Sequence, residues 1–245
     1  MAQPEANASQ PLEARLKKRC SNCSLSELCL PMGLDRIDVE QLDDVVDQSS
    51  PMHAGDHLYR KGDGFKALYA VRSGYLKTYI VDETGREQVL GFYLPGELVG
   101  LDAIYPEKHQ CNAVALDTAT VCELPYEKLS DLAEHLPSLQ KQMFRLLSKD
   151  ITSSQALTGD FTAEERLAAF LLGMSARLKV RGYSPTHFLL AMPRRDIANY
   201  LRLATETVSR VFKRFQKEGL IEVDRRDIRL LDLERLDAIS RCVPR

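Results

Sequence analysis

The chain has no long apolar run: the best, Leu167 to Met174, is eight residues in a total of 245. A membrane-crossing helix needs about 20 such residues in a row, so a helical membrane protein is excluded. The first 19 residues (MAQPEANASQPLEARLKKR) hold no apolar segment that would serve as a secretory signal, and the expected compartment is the reducing cytoplasm. With 13 glycines and 11 prolines, the composition is far from that of a collagen-like fibre. Six cysteines in so long a chain do not make a disulfide-stapled scaffold. Catalytic signatures are missing too: there is no dinucleotide fingerprint, P-loop or nucleophile elbow. The histidines (53, 57, 109, 135, 187) are scattered, and His53 and His57 fall in a turn-rich stretch, not on a helix. No residue is nominated as catalytic, and the chain is expected not to be an enzyme.

What is present is an ordinary globular mix, 44% hydrophobic and 28% charged, long enough for two modest domains with real cores. The net charge of −2 conceals a split. Residues 192–245 carry 13 Lys+Arg against 9 Asp+Glu, whereas the other 191 carry 20 against 26. A basic end behind an acidic body points to a separate anion-binding module.

Residues 1–19 read as a flexible polar arm. Asp35–Val46 spaces Ile37, Leu42 and Val45/Val46 as one face of a short helix. Between Pro51 and Pro125, short apolar runs (67–71, 76–81, 88–94, 119–124) alternate with eight of the 13 glycines. Such punctuation predicts an antiparallel β-roll of about seven or eight strands. Tyr126–His135 then reads as a short helix, and Pro137 opens a long one reaching to about Leu157. On it Phe144, Leu147, Ile151, Ser154 and Thr158 recur at spacings of 3, 4, 3 and 4, the seam of a coiled coil. Leu139, Met143 and Leu146 form a second stripe that can pack on the roll. Two apolar stripes, where one would serve for packing, favour a homodimer through Phe144, Leu147 and Ile151. Asp150, beside its symmetry mate, is expected to weaken that seam. Thr162-Ala-Glu-Glu165 is a capping box opening a helix to about Arg181, and Phe188–Met192 reads as a strand.

Cysteines stand at 20, 23, 29, 111, 122 and 242, and the polar segment Cys20-Ser-Asn-Cys23-Ser-Leu-Ser-Glu-Leu-Cys29 packs three into ten residues. That density asks for a metal. Four thiolates suit an iron–sulfur cluster and equally suit tetrahedral zinc. The wide gap before Cys29, and a fourth ligand drawn from far downstream, lean toward iron–sulfur. Cys122 lies in a strand pattern (Ala119–Leu124) that fixes its direction. Cys111 follows the polar loop Pro106–Gln110 and is expected to be mobile, a spare thiol like Cys242. Leu25, Leu28 and Leu30 are the residues available to shield a cluster from oxygen.

Residues 194–221 (RRDIANYLRLATETVSRVFKRFQKEGLI) give one short apolar face, Ile197, Ala198 and Leu201, and after a break another, Val208, Val211, Phe212 and Phe215, ended by Gly219. That is a helix-turn-helix. Opposite the second stripe, Glu206, Ser209, Arg210 and Lys213 form one row. Arg210 can donate twice to a guanine edge and Glu206 can accept from a cytosine amine. Lys213, Arg214 and Lys217 suit phosphates. The turn wants a residue at positive φ, and Arg202 is the expected occupant, at a cost of about 1 kcal/mol.

A glycine-punctuated roll, a long helix and a C-terminal helix-turn-helix together resemble the bacterial CRP/FNR transcription regulators over nearly the whole chain. The C-x2-C-x5-C segment, Val121-Cys122-Glu123 and Glu206-Thr-Val-Ser209-Arg210 resemble the oxygen-sensing FNR/ANR branch. The resemblance implies an α+β fold in four parts: an arm (1–19), a cluster-binding segment with a cyclic-nucleotide-binding-like roll (20–136), a dimerisation helix (137–159) and a winged helix-turn-helix (160–245). It implies that Cys20, Cys23, Cys29 and Cys122 hold one [4Fe-4S] cluster, and that the loaded dimer binds a TTGAT-N4-ATCAA-like palindrome. Oxygen would convert the cluster to [2Fe-2S] and leave monomers. Glu206, Ser209 and Arg210 would read bases, and loops at Ser73, Gly85 and Thr118 would touch RNA polymerase. Cyclic nucleotide binding is not expected: after Gly96-Glu97-Leu98, the positions that should supply an arginine–serine pair read Gln110-Cys111. Two other readings stand beside this one, a constitutive regulator with a structural four-cysteine zinc site and an iron–sulfur electron carrier.

Overall fold

The structure, a computed structural model, describes residues 20–155, 159–241 and 243. The arm 1–19, the seam residue Thr158 and Cys242 lie outside the described residues, as does the side chain of Ser154. The described chain is α+β, with β-sheets followed by helices and a small sheet near the end.

Eight strands build the roll: β1 (Asp47–Gln48), β2 (His57–Tyr59), β3 (Ala67–Ser73), β4 (Leu76–Val81), β5 (Glu87–Tyr93), β6 (Leu98–Val99), β7 (Asn112–Ala115) and β8 (Thr120–Pro125). They form two four-stranded sheets, ordered β1-β8-β3-β6 and β2-β7-β4-β5. Period-two alternation sends Met52, Tyr59, Val71, Leu76, Val99, Ala113 and Val121 between the sheets. The Ser73-Gly74 turn presses on the next loop so closely that a Cβ on Gly74, at φ 75°, would lie 2.4 Å from the Thr118 carbonyl oxygen. Only glycine fits there.

Helix α1 (Arg36–Val45) is N-capped by Asp35, whose carboxylate accepts from the Asp38 amide. Its inner stripe is Val39, Leu42, Asp43 and Val46, facing the cysteine segment, so Ile37 is left outside at 67% exposure, contrary to its expected place. Next come α2 (Tyr126–His135) and α3 (Pro137–Gln155), which buries Leu139 and packs Met143 and Leu146 on the outer side of the roll.

The expected capping box is made: the Thr162 hydroxyl accepts from the Glu165 amide and the Glu165 carboxylate from the Thr162 amide, opening α4 (Ala163–Lys179). Strand β9 (His187–Leu189) is shorter than its apolar run. The Leu190 amide still donates to the Arg226 carbonyl at 2.9 Å, and the chain then runs through buried Met192 to Pro193, the N-cap of the next helix. Helices α5 (Arg194–Tyr200) and α6 (Thr205–Lys217) precede β10 (Ile221–Asp224), β11 (Asp227–Leu230) and α7 (Leu233–Ser240). The sheet β10-β11-β9 is the wing.

Roll and C-terminal part share a core. Val89, Phe92 and Leu94 join Leu167, Phe170, Leu171, Ile197 and Phe212 in one cluster. Lys77 Nζ reaches Asp196 Oδ2 at 2.7 Å in a buried pair, and Asn199 Oδ1 accepts from the Val89 amide at 2.6 Å. These contacts seat α5 against β4 and β5.

Candidate cysteine pocket and DNA-facing helix

Two distant stretches of chain bring the four sequence-nominated cysteines together. Residues 20–34 fold as turns tied to α1: Asp43 accepts from the Cys20 amide and from Ser21 Oγ (2.8 Å). Cys122 projects from β8, opposite Ala70 of β3. Cys20, Cys23, Cys29 and Cys122 line one small cavity of about 30 Å³ whose walls include Leu25, Leu30, Pro31, Leu42, Val46 and Leu124. All four are free thiols. Among the described residues, no three His, Cys, Asp or Glu side chains converge as ligands of a single ion.

The pocket walls are largely apolar, and burial raises three of its thiols. Burial pushes Cys29 up to about 12. Burial and the Asp43 carboxylate push Cys20 up, and burial raises Cys122 against the opposing pull of Arg72. Making thiolates here needs a strong positive charge, which a bound metal centre supplies. Soft sulfur donors in an apolar shell fit an iron–sulfur cluster.

Two expectations about this region are corrected. Cys111 is no mobile spare: it is buried in the core between the sheets, and its thiol donates to Asp102 Oδ2 at 3.5 Å. Leu28 does not line the cysteine pocket. It packs on Gly96, where a Cβ would lie 3.1 Å from its own, and it lines a second, larger cavity.

That second cavity, about 370 Å³, is bounded by Gly96, Glu97, Tyr93, Asp102, Cys111 and Asp150 among others. Glu97 is clamped by Arg177 and Arg181, with Arg177 Nε at 2.9 Å and Arg181 at 2.8 Å. Burial raises its carboxyl, but the two guanidiniums outweigh that and hold it below the usual range. Asp150 also faces this cavity, where burial and Asp102 raise its carboxyl. It therefore does not lie on the outward seam, and the like-charge repulsion expected there is withdrawn.

The seam itself is open. Phe144 is 63% and Ile151 59% exposed, with Leu147 half-buried beside them. Exposed large apolar side chains in a row mark an interaction surface. The same helix touches the cysteine segment from its other side, where buried Gln142 Nε2 donates to the Cys29 carbonyl at 3.4 Å.

In the helix-turn-helix, Val208, Val211, Phe212 and Phe215 are buried and Glu206, Arg210, Lys213 and Lys217 exposed, with Ser209 half-buried between. The turn closes as a Schellman motif: the Leu203 amide bonds the Ala198 carbonyl (2.9 Å), the Arg202 amide the Asn199 carbonyl (3.0 Å), and Arg202 takes φ 56°. Arg194 lies 3.6 Å above the Phe212 ring and ties the two helices. Arg214 is already paired with Glu164 (2.9 Å) and Glu218 (2.8 Å).

Ser73 and Thr118 are exposed on adjoining turns, with Ser73 Oγ 2.7 Å from Thr120 Oγ1. Gly85 sits at the tip of the β4–β5 hairpin, where Asp82 accepts from the Thr84 and Arg86 amides. Sequence reasoning missed Arg72, Asp43 and Gln142. Their contacts depend on register and tertiary packing, which no local pattern shows.

Comparisons with known proteins agree with this layout. The cyclic nucleotide-binding domain family matches residues 51–135 and the Crp-like helix-turn-helix domain family residues 165–239. The chain is 46% identical over 232 residues to the transcriptional activator protein Anr of Pseudomonas protegens, covering 94% of this chain and 95% of that one. It is 44% identical over 224 residues to the fumarate and nitrate reduction regulatory protein of Salmonella typhimurium, covering 90% of each. FixK2 from Bradyrhizobium japonicum superposes with a TM-score of 0.73 at 27% identity, over 80% of this chain and 98% of that one. No helix among the described residues is long and apolar enough to cross a membrane.

Proposed function

The chain belongs to the FNR/ANR branch of the CRP/FNR transcription regulators, and on that premise we propose that it is an oxygen-responsive, cytoplasmic regulator that binds palindromic promoter DNA as a homodimer. It is a regulator and not an enzyme. The proposed state competent for DNA carries a [4Fe-4S] cluster on Cys20, Cys23, Cys29 and Cys122, and air abolishes that state.

One observation carries the reading: four free thiols from separate stretches of chain line a single, largely apolar pocket. Four thiolates would hold either a cluster or zinc, and the kinship with the FNR/ANR regulators favours the cluster. When bound, the cluster supplies a centre sensitive to oxygen; the rest is done by the chain. Residues 20–34 are held by Asp43 on one side and meet α3 through Gln142 on the other. Order in that segment therefore bears on the helix that presents Phe144, Leu147 and Ile151. Pairing across this seam sets two recognition helices at the half-site spacing of a palindrome resembling TTGAT-N4-ATCAA. There Glu206, Ser209 and Arg210 meet base edges, Lys213, Arg214 and Lys217 meet phosphates, and Ser73, Gly85 and Thr118 face RNA polymerase.

Against a cyclic nucleotide stands the engagement of Glu97 by Arg177 and Arg181, with Asp102 and Asp150 bordering the same cavity. The two arginines nearest the Gly96-Glu97-Leu98 turn are thus already engaged by a carboxylate of the chain itself.

The test is gel retardation of a duplex carrying the palindrome, with sedimentation of the same samples, prepared without oxygen and then aired. Retardation and dimers without oxygen, both lost in air, are expected. Retardation unchanged by air would contradict the proposal and favour a constitutive regulator whose four cysteines hold structural zinc.

A further inference from the structure

Among the described residues lining the cysteine pocket, Arg72 is the one that carries a charge. Its position follows from an irregularity in the sheet. Strand β3 pairs with β8 in step from Ala67↔Pro125 to Val71↔Val121, and pairing resumes at Ser73↔Thr120. Arg72 is therefore an extra residue in β3, a bulge against β8. A bulge re-aims the side chain it inserts. Ala70, two residues back, faces Cys122 across the ladder, and Arg72 and Cys122 line the same pocket. The bulge thus sets a guanidinium beside a nominated ligand in a pocket otherwise walled by Leu25, Leu30, Leu42, Val46 and Leu124.

The chemistry gives that placement a purpose. Four thiolates around an iron–sulfur core leave net negative charge, which is costly in an apolar pocket unless opposed. A guanidinium stays charged under all working conditions. Net charge and hydrogen bonds to the sulfurs set the potential of such a centre.

We propose that Arg72 is a positioning residue of the cysteine site, holding the Cys122 sulfur and opposing the charge of the thiolates, and that it thereby slows oxidation of the bound centre. The proposal rests on the reading of the pocket as a cluster site.

The test compares the full chain with Arg72→Met and Arg72→Lys, each purified without oxygen and loaded with iron and sulfide. Iron and sulfide per chain, the midpoint potential from titration of the visible absorbance, and the bleaching rate in air are read for all three. Arg72→Met should shift the midpoint to more negative potential and bleach several-fold faster, while Arg72→Lys, which keeps the charge, stays close to the parent. A purely structural role would not be rescued by lysine in potential. Arg72→Met with the parent's midpoint and bleaching rate overturns the proposal. If methionine is not tolerated at the bulge, judged by far-UV circular dichroism, Arg72→Gln takes its place with the same two outcomes. A parent chain that takes up neither iron nor sulfide contradicts the cluster reading instead.

Discussion

The two cavities of the roll treat their polar groups in opposite ways. Around Gly96-Glu97-Leu98, a buried carboxylate is met by two guanidiniums of its own chain, one of them only 4% exposed. In the cysteine pocket, four free thiols face, among the described residues, mostly apolar walls and Arg72. An acid answered internally has little left for a diffusing ligand, and here it joins the roll to α4. Burial raises the thiols of Cys20, Cys29 and Cys122, and a positive centre would favour their thiolates. The contrast moves the proposed input of the protein from inside the roll to its outer edge, beside α1 and α3.

Seven substitutions would break or sharpen that contrast. The largest effect belongs to Cys122→Ser, expected to abolish cluster iron and DNA retardation without oxygen. Cys111→Ser, in the core between the sheets, should keep both. Iron analysis and gel retardation of the pair decide which thiol is the ligand.

Glu97→Ala tests the other cavity. It leaves Arg177 and Arg181 without their shared acid, and breaking such a buried pair costs about 3–5 kcal/mol, read as a lower melting temperature with cluster content unchanged. The pair also has an acid signature. The folded Glu97 carboxyl sits below its ordinary 4.5, so its stabilisation is whole above that value and is lost as pH falls through the lower folded one. Glu97→Gln should flatten this part of the acid-denaturation profile.

A smaller version of the same contrast runs along α6. Arg210 is exposed, with one 3.2 Å contact to Thr207 Oγ1, whereas Arg214 is held by two glutamates. Arg210→Ala should cost about 1–3 kcal/mol of binding and relax preference at one base pair. Arg214→Ala should weaken all sequences alike and by less; titration against the palindrome and single-base variants separates them. The smallest effect is Arg202→Gly, which relieves a positive φ and should stabilise by about 1 kcal/mol in thermal melts.

What could be read from the sequence was what local periodicity controls. Ile197, Ala198 and Leu201, and Val208, Val211, Phe212 and Phe215, are buried as their spacing required, and Arg202 occupies the turn at positive φ. The capping box and the close cysteine spacing are equally local. The misread residues are decided by partners far away in sequence. Ile37 is outside because Asp43 turns α1 toward the cysteine loop. Cys111 is buried because β7 returns to the middle of its sheet beside β4. Leu28 follows Gly96, and Asp150 follows the cavity under α3. Strands β2 and β7 escaped notice because three or four residues are too few to show alternation.

Iron, acid-labile sulfide and zinc per chain should be measured on protein purified without oxygen, then again after air, alongside DNA retardation. Four iron and four sulfide, lost in air together with retardation, are what a [4Fe-4S] site on Cys20, Cys23, Cys29 and Cys122 requires. One zinc per chain that survives air, with retardation unchanged, would contradict it.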